Sequence, residues 1–241
     1  MAAPNALFPE MLPAVQGGLG FPEPLTEKYA PKTLDEFVGM ENVIKPLKGF
    51  AAKLSAANDI AGSRGFVFHG SSGTGKTRMA FAFAREVQGE VHHIPAQECT
   101  IETIRDLAYN CRHVPTKGAP TWEALRYHVI IVDEADLMSP AAQNACLSYL
   151  DGTNPLPNTI WIFTCNAVER FADRFLSRNM QFDFSSYGLA KGAIALLERV
   201  WKLERGQTAS DSQPNFARIV KDSANNIRAA LQALELELMA A

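Results

Sequence analysis

The segment Gly70-Ser71-Ser72-Gly73-Thr74-Gly75-Lys76-Thr77 has the spacing G-x-x-x-x-G-K-T and stands directly behind the apolar run Gly65-Phe66-Val67-Phe68. Glycines at these positions let the backbone turn so tightly that its N–H groups point inward at phosphate. The lysine can then reach the β and γ oxygens, and the threonine hydroxyl can ligate Mg²⁺. Such a loop works only between a strand and a helix, and Arg78-Met79-Ala80-Phe81-Ala82-Phe83-Ala84-Arg85-Glu86 supplies the helix. The chain is therefore constrained to a strand, loop and helix that bind ATP or GTP, with Arg78 joining the eight loop residues as a nucleotide contact.

Binding alone does not make a hydrolase, so a second acidic segment must exist downstream. Val129-Ile130-Ile131-Val132-Asp133-Glu134 meets the need. Its β-branched run is too short for a helix and too apolar for a surface strand, which suits a central parallel strand ending in two carboxylates. Open α/β sheets bind ligands at the carboxyl ends of their strands. Asp133 is expected to hold Mg²⁺ together with Thr77, and Glu134 to polarise the attacking water.

With 241 residues and 47% hydrophobic content, the chain can bury one α/β core and a small second unit. A formal charge of -3 provides no basic footprint, so any nucleic-acid contact must come from a local patch. Cys99, Cys111, Cys146 and Cys165 lack C-x-x-C spacing, which indicates neither a zinc site nor a disulfide framework but the thiols of a reducing compartment. His92-His93 is the only histidine pair, and no Cys or acid stands beside it at ligand spacing, so no further metal is expected. No apolar stretch approaches spanning length and no signal peptide opens the chain, so the expectation is a soluble intracellular protein without membrane contact.

Residues 1–24 read as a Pro-, Gly- and Ala-rich tail, in which Leu7, Phe8, Met11 and Leu12 could dock on a partner. Helices are predicted over 43–57, 75–87, 101–111, 140–150 and 170–174. Strands are predicted over 65–69, 91–95, 129–132, 159–164 and 180–184. This alternation predicts an α/β, three-layer parallel-sheet core over 25–186. Purely helical segments over 189–204, 216–223 and 227–239 then predict a small all-α lid domain over 187–241.

Phosphate loop, Asp133-Glu134, an Asn ending the next strand and a helical lid, in that order, resemble an AAA+ P-loop NTPase. Four stretches narrow the resemblance to clamp-loader small subunits of the replication factor C type, over roughly 25–240. They are 27–39 (Glu27-Lys28-Tyr29-Ala30 onward), Asp133-Glu134-Ala135-Asp136 with Pro140-Ala141-Ala142-Gln143-Asn144-Ala145, Phe163-Thr164-Cys165-Asn166, and Ser177-Arg178-Asn179.

The resemblance implies that Asn166 helps Glu134 orient water near the γ-phosphate. It implies that Arg178 serves as a finger reaching a neighbouring subunit's ATP, with Arg174 as fallback, and that Arg228 of the lid reaches back to the γ-phosphate. Tyr29, Phe37 and Val38 would wall the adenine. It further implies a ring of AAA+ subunits, homo- or hetero-oligomeric and pentameric in the family, that contacts DNA by its backbone and acts on a sliding clamp. Arg105, Arg112 and Lys117 are the candidates for DNA phosphate, although Glu102 and Asp106 fit a solvated mixed-charge helix equally well.

The sequence departs from the family at Ala30, where clamp loaders usually carry Arg. It also departs at Cys146-Leu147-Ser148-Tyr149-Leu150, and at Ala241, before the family's C-terminal collar would begin. A compact phage or mobile-element version would suit that length. Alternative functions are a protein remodeller, a DNA branch-migration or recombination motor, and an ATP-dependent assembly switch.

Overall fold

In the computed structural model, residues 23–56, 63–113, 126–185, 188–205 and 213–240 are described. Helix α1 (Leu25–Lys28) and a 3₁₀ turn (Leu34–Glu36) lead into α2 (Glu41–Ala56). The core then runs β1 (Ser63–His69), α3 (Lys76–Glu86), β2 (Gly89–Pro95), α4 (Ile101–Asn110), β3 (Tyr127–Asp133), α5 (Pro140–Leu150), β4 (Thr159–Cys165), α6 (Asp173–Leu176) and β5 (Met180–Asp183). Three helices follow: α7 (Leu189–Arg205), α8 (Phe216–Asp222) and α9 (Ile227–Ala240).

The five strands are all parallel, in the order β2-β3-β4-β1-β5. The expected α/β parallel-sheet fold is borne out. Both faces of the central strands are covered, which is why β3 and β4 read as unbroken apolar runs. The pleat still sorts them. Phe66, Phe68, Val129, Ile131, Ile160 and Ile162 point to the face covered by α2 and α3. Val67, Ile130, Val132, Trp161 and Phe163 point to the face covered by α4 and α5. Truncating a fully buried member such as Trp161 to Ala costs about 3–5 kcal/mol.

A third cluster joins α7, α8 and α9 through Leu197, Val200, Trp201, Phe216, Val220, Leu231 and Leu234. It also takes in Leu25, with Tyr29 and Val38 packed against it. The segment before the sheet thus lies on the C-terminal helices.

One predicted element differs in form. The helix expected over 170–174 is a 3₁₀ turn at Val168–Arg170, then α6, with Ala172 extended (ψ 143°) between them. Phe171 and Phe175, on either side of the break, are both buried and their rings stack with centroids 5.0 Å apart. Residues 1–22 of the tail expected over 1–24, and Lys117, lie outside the described residues.

Candidate nucleotide site

Because β4 lies between β1 and β3, the carboxyl ends of these three strands are neighbours, and the residues just beyond each of them meet. Gly73 and Gly75 have φ of 75° and 96°, left-handed values that glycine adopts without a Cβ clash. At Gly73 there is a second constraint: a Cβ would lie 2.0 Å from the Asn226 Oδ1 atom, so the residue before α9 closes on the loop itself. Gly75 caps α3, whose first N–H groups are left facing the cavity.

Lys76, the first residue of α3, is only 7% exposed. Its Nζ donates to the Gly70 carbonyl at 2.8 Å, to the Ser71 carbonyl at 2.8 Å and to Asn166 Oδ1 at 2.9 Å. The three protons of the ammonium thus each have an acceptor. Burial lowers the Lys76 pKa, and Arg228 adds to that, while Cys165, Asp133 and Asp136 act in the opposite direction.

At the end of β3, Thr77 Oγ1 donates to Asp133 Oδ1 at 2.8 Å. Two hard oxygen donors side by side, one of them anionic, match the ligand chemistry of Mg²⁺. Glu134 is exposed and has φ 54°. A non-glycine residue in this region stores strain and needs neighbours to hold it there. Thr164 supplies one: its hydroxyl donates to Asp133 Oδ1 and accepts the Glu134 N–H at 3.2 Å. Sequence reasoning overlooked this residue; the clue was a hydroxyl at the carboxyl end of the largely apolar β4, two positions before Asn166. Asp136, also missed as a site residue, accepts the Asn166 backbone N–H at 3.4 Å.

Two cavities of about 670 and 400 Å³ share Gly73, Gly75, Arg78 and Arg228 and so form one cleft. The smaller holds Lys76, Thr77, Asp133, Glu134 and Asn166. The larger is walled by Tyr29, Phe37 and Val38, with Leu196, Ile227 and Leu231 from α7 and α9, and Ala30 borders it as well. An apolar compartment joined to a polar one is the shape a nucleotide needs.

Tyr29 OH donates to Glu204 Oε1 at 2.6 Å, and Lys28 pairs with the same carboxylate at 2.8 Å. Burial, then the Glu204 bond and charge, push the Tyr29 phenol up to about 12. Nothing in the sequence marked Glu204, because its partners lie some 175 positions away. Arg78 is held in an ion pair by Glu27.

Four candidates do not join this cleft. Arg178 is paired with Asp151 and donates from Nη1 to the Arg174 carbonyl at 2.9 Å. Arg174 bonds Asn144. On α4, Arg105 is exposed among Glu102 and Asp106, and just beyond it Arg112 donates to Asn154 Oδ1 at 2.6 Å. Among the described residues, no helix is long and apolar enough to cross a membrane.

Residues 66–187 match the family described as ATPase family associated with various cellular activities (AAA). The replication factor C small subunit of Haloarcula marismortui is 33% identical over 175 residues, covering 70% of this chain and 49% of that protein. That of Archaeoglobus fulgidus is 28% identical over 216 residues, covering 87% and 62%. Human replication factor C subunit 4 is 27% identical over 223 residues, covering 89% and 58%. The chain thus spans about half to three-fifths of the length of these curated relatives. Among solved structures, the Thermotoga maritima RuvB Holliday junction branch migration motor superposes with a TM-score of 0.67 at 20% identity, covering 86% of this chain and 64% of that one. At that identity the likeness concerns the fold alone.

Proposed function

We propose an ATP-driven, clamp-loader-like cycle for this chain, which belongs to the AAA family of ATPases. The observation that carries it is a division. Lys76, Thr77, Asp133, Glu134 and Asn166 converge on one cleft, whereas Arg178 is held outside it on the exposed surface. A hydrolytic site so divided is completed by the arginine of a neighbouring subunit. The similarity to replication factor C small subunits over most of the chain supports that arrangement.

In this cycle the apolar compartment between Tyr29, Phe37 and Val38 takes the adenine, and the loop N–H groups and Lys76 take the phosphates. Lys76 exchanges the Gly70 and Ser71 carbonyls for phosphate oxygens. Thr77 and Asp133 would hold Mg²⁺, which when bound would neutralise the charge that phosphoryl transfer develops. Glu134 accepts a hydrogen bond from the attacking water, and Asn166, aligned by Asp136, fixes its direction. Arg228 on α9 links the γ-phosphate to the lid formed by α7, α8 and α9. Arg178 from the adjacent subunit offsets transition-state charge, an effect worth about 10³–10⁵ in rate. The partners of the cycle are other AAA+ subunits, DNA held by its backbone, and a sliding clamp, in an intracellular setting.

Steady-state hydrolysis with and without primer-template DNA tests it, comparing wild type, Arg178→Ala, Glu134→Gln and a mixture of the two variants. Stimulation by DNA and recovery on mixing are expected, because an interface pairing the intact cleft of one variant with the intact arginine of the other is competent. Hydrolysis that ignores DNA and tolerates Arg178→Ala would sink the clamp-loader cycle. The fold shared with the branch-migration motor favours one second reading, a DNA motor, which translocation on duplex DNA without any clamp would reveal.

A further inference from the structure

The sheet separates the two histidines that adjoin in sequence. His93 points to the α3 side, where its ring meets Phe81 and its Nε2 lies 3.9 Å from Asp133 Oδ2. His92 points to the opposite side, the same side as Glu90 two residues earlier. In the parallel register Glu90 stands beside His128 and His92 beside Ile130, so Glu90, His92 and His128 occupy one face of the outer strand pair. The residue after α4, Cys111, closes over that face and is fully buried. One ligand atom from each of His92, Cys111 and His128 lies within 4.8 Å of the other two.

The hydrogen bonds orient these atoms. His128 Nε2 lies 2.8 Å from the His113 carbonyl oxygen, which can only accept, so this nitrogen carries the proton. In the neutral ring the lone pair is then on Nδ1, which faces His92 Nε2 at 3.0 Å and Glu90 Oε2 at 3.5 Å. A metal-bound histidine ordinarily donates its other ring N–H to a carbonyl or carboxylate in this way, which fixes the tautomer before the ion arrives. Two nitrogens about 2.0–2.1 Å from a tetrahedral Zn²⁺ are about 3.3 Å apart, close to the spacing seen. Two imidazoles and a thiol make a borderline-soft donor set that suits Zn²⁺ or Co²⁺ and does not suit Mg²⁺ or Ca²⁺.

We propose that His92 Nε2, His128 Nδ1 and Cys111 Sγ bind one zinc-class divalent ion, with the adjacent Glu90 carboxylate available as the fourth ligand. On binding, the Cys111 S–H releases its proton to solvent and the sulfur forms the metal–thiolate bond, while His92, whose Nε2–H faces the His128 Nδ1 lone pair in the metal-free chain, carries its proton on Nδ1 instead. The ion fastens the end of α4 to the outer edge of the sheet. It is a different place from the nucleotide cleft: His128 precedes Asp133 by five residues of β3, about 16 Å of extended strand. The role is structural, since Cys111 and His128 are buried, His92 is half-buried, and the three donors join the end of α4 to the β2–β3 pair.

The test uses the full chain stripped with a chelator, then titrated with Co²⁺ and, separately, Zn²⁺. A cobalt–thiolate absorption band in the near ultraviolet is expected, together with one equivalent of zinc retained through gel filtration. The band should vanish in Cys111→Ser and His92→Gln and persist in Cys165→Ser, because Cys165 borders the nucleotide cleft and reports on adventitious binding there. His92 is partly exposed on an edge strand, so His92→Gln carries the test if Cys111→Ser does not fold. Loss of a direct ligand should weaken zinc binding by more than the ~10–100-fold that outer-shell partners are worth. No band in wild type, a band abolished only by Cys165→Ser, or zinc retention unchanged in His92→Gln would each overturn the proposal.

Discussion

Thr164→Val is the substitution that most sharply probes how the catalytic edge is held. The two side chains are nearly isosteric, so packing in the fully covered strand β4 is preserved and only the hydroxyl is lost. Thr164 is 2% exposed. Its hydroxyl makes two bonds, donating to the Asp133 carboxylate and accepting the Glu134 N–H. A hydrogen bond to a charged group is worth about 1.5–3 kcal/mol net, and one between neutral groups about 0.5–1.5. Glu134 is exposed, so water can recover part of its N–H bond, and Asp133 keeps the Thr77 bond.

The expected loss is therefore about 2–3 kcal/mol, which for a chain of this size lowers Tm by roughly 4–12 °C. Turnover should fall more than stability implies, by about 100-fold, because the left-handed Glu134 loses one of the bonds that hold it and a misplacement near 1 Å costs about that much. ATP affinity should change little, since Lys76 and the loop are untouched. Thermal unfolding by circular dichroism, with steady-state hydrolysis and ATP titration, reads all three quantities. Thr164→Ser, which restores the hydroxyl, should recover most of the turnover. A Val variant within 1 °C and twofold of wild type would refute the role assigned to this hydroxyl.

Arg178→Ala and Asp151→Asn separate a trans-acting arginine from a surface ion pair. The pair is partly exposed and worth about 1 kcal/mol at most, so Asp151→Asn should keep hydrolysis by the assembled protein within about fivefold while Arg178→Ala loses ~10³ or more; equal losses in both would make Arg178 a structural residue. Gly73→Val meets both a left-handed φ and the Asn226 side chain, so we expect nucleotide binding, followed by fluorescent-ATP titration, to weaken at least 100-fold; wild-type affinity would show that the lid contact is dispensable. The Tyr29 phenol is bound to its proton more tightly in the folded chain, with a pKa raised from 10.0 to about 12. Its contribution to stability is thus complete below about pH 10 and is lost as pH rises toward 12. Denaturant midpoints measured across that range should fall more steeply for wild type than for Tyr29→Phe, and parallel curves would refute the linkage.

Much of this protein was legible because its signals are local. The loop from Gly70 to Thr77 must lie between a strand and a helix to work at all, and Asp133-Glu134 follows a run too apolar for anything but a covered strand. Alternation of such strands with amphipathic helices leaves a parallel sheet as the remaining solution, and the five-stranded sheet agrees. The break at Phe171 and Ala172 was not legible, because Phe171 and Phe175 are buried together and Phe175 meets Phe163 of β4, contacts that belong to the tertiary structure. Thr164 and Glu204 were hidden for the same kind of reason: each acts on a residue far along the chain or across a strand pair.

The cysteines and histidines mark the boundary most clearly. In sequence, His92 and His93 form a pair and Cys111 stands alone. Periodicity of two in the strand sends the paired histidines to opposite faces, and the register of β2 on β3 brings His128 to His92 with Cys111 above them. Sequence alone determined the chemistry that nucleotide phosphates would meet, because that chemistry is carried by adjacent residues on one turn of backbone. The tertiary structure decided which side chains share a face, which arginine stands apart from the cleft, and which distant hydroxyls and carboxylates hold the catalytic edge. Those outcomes depend on strand register and layer packing, which no short stretch of residues encodes.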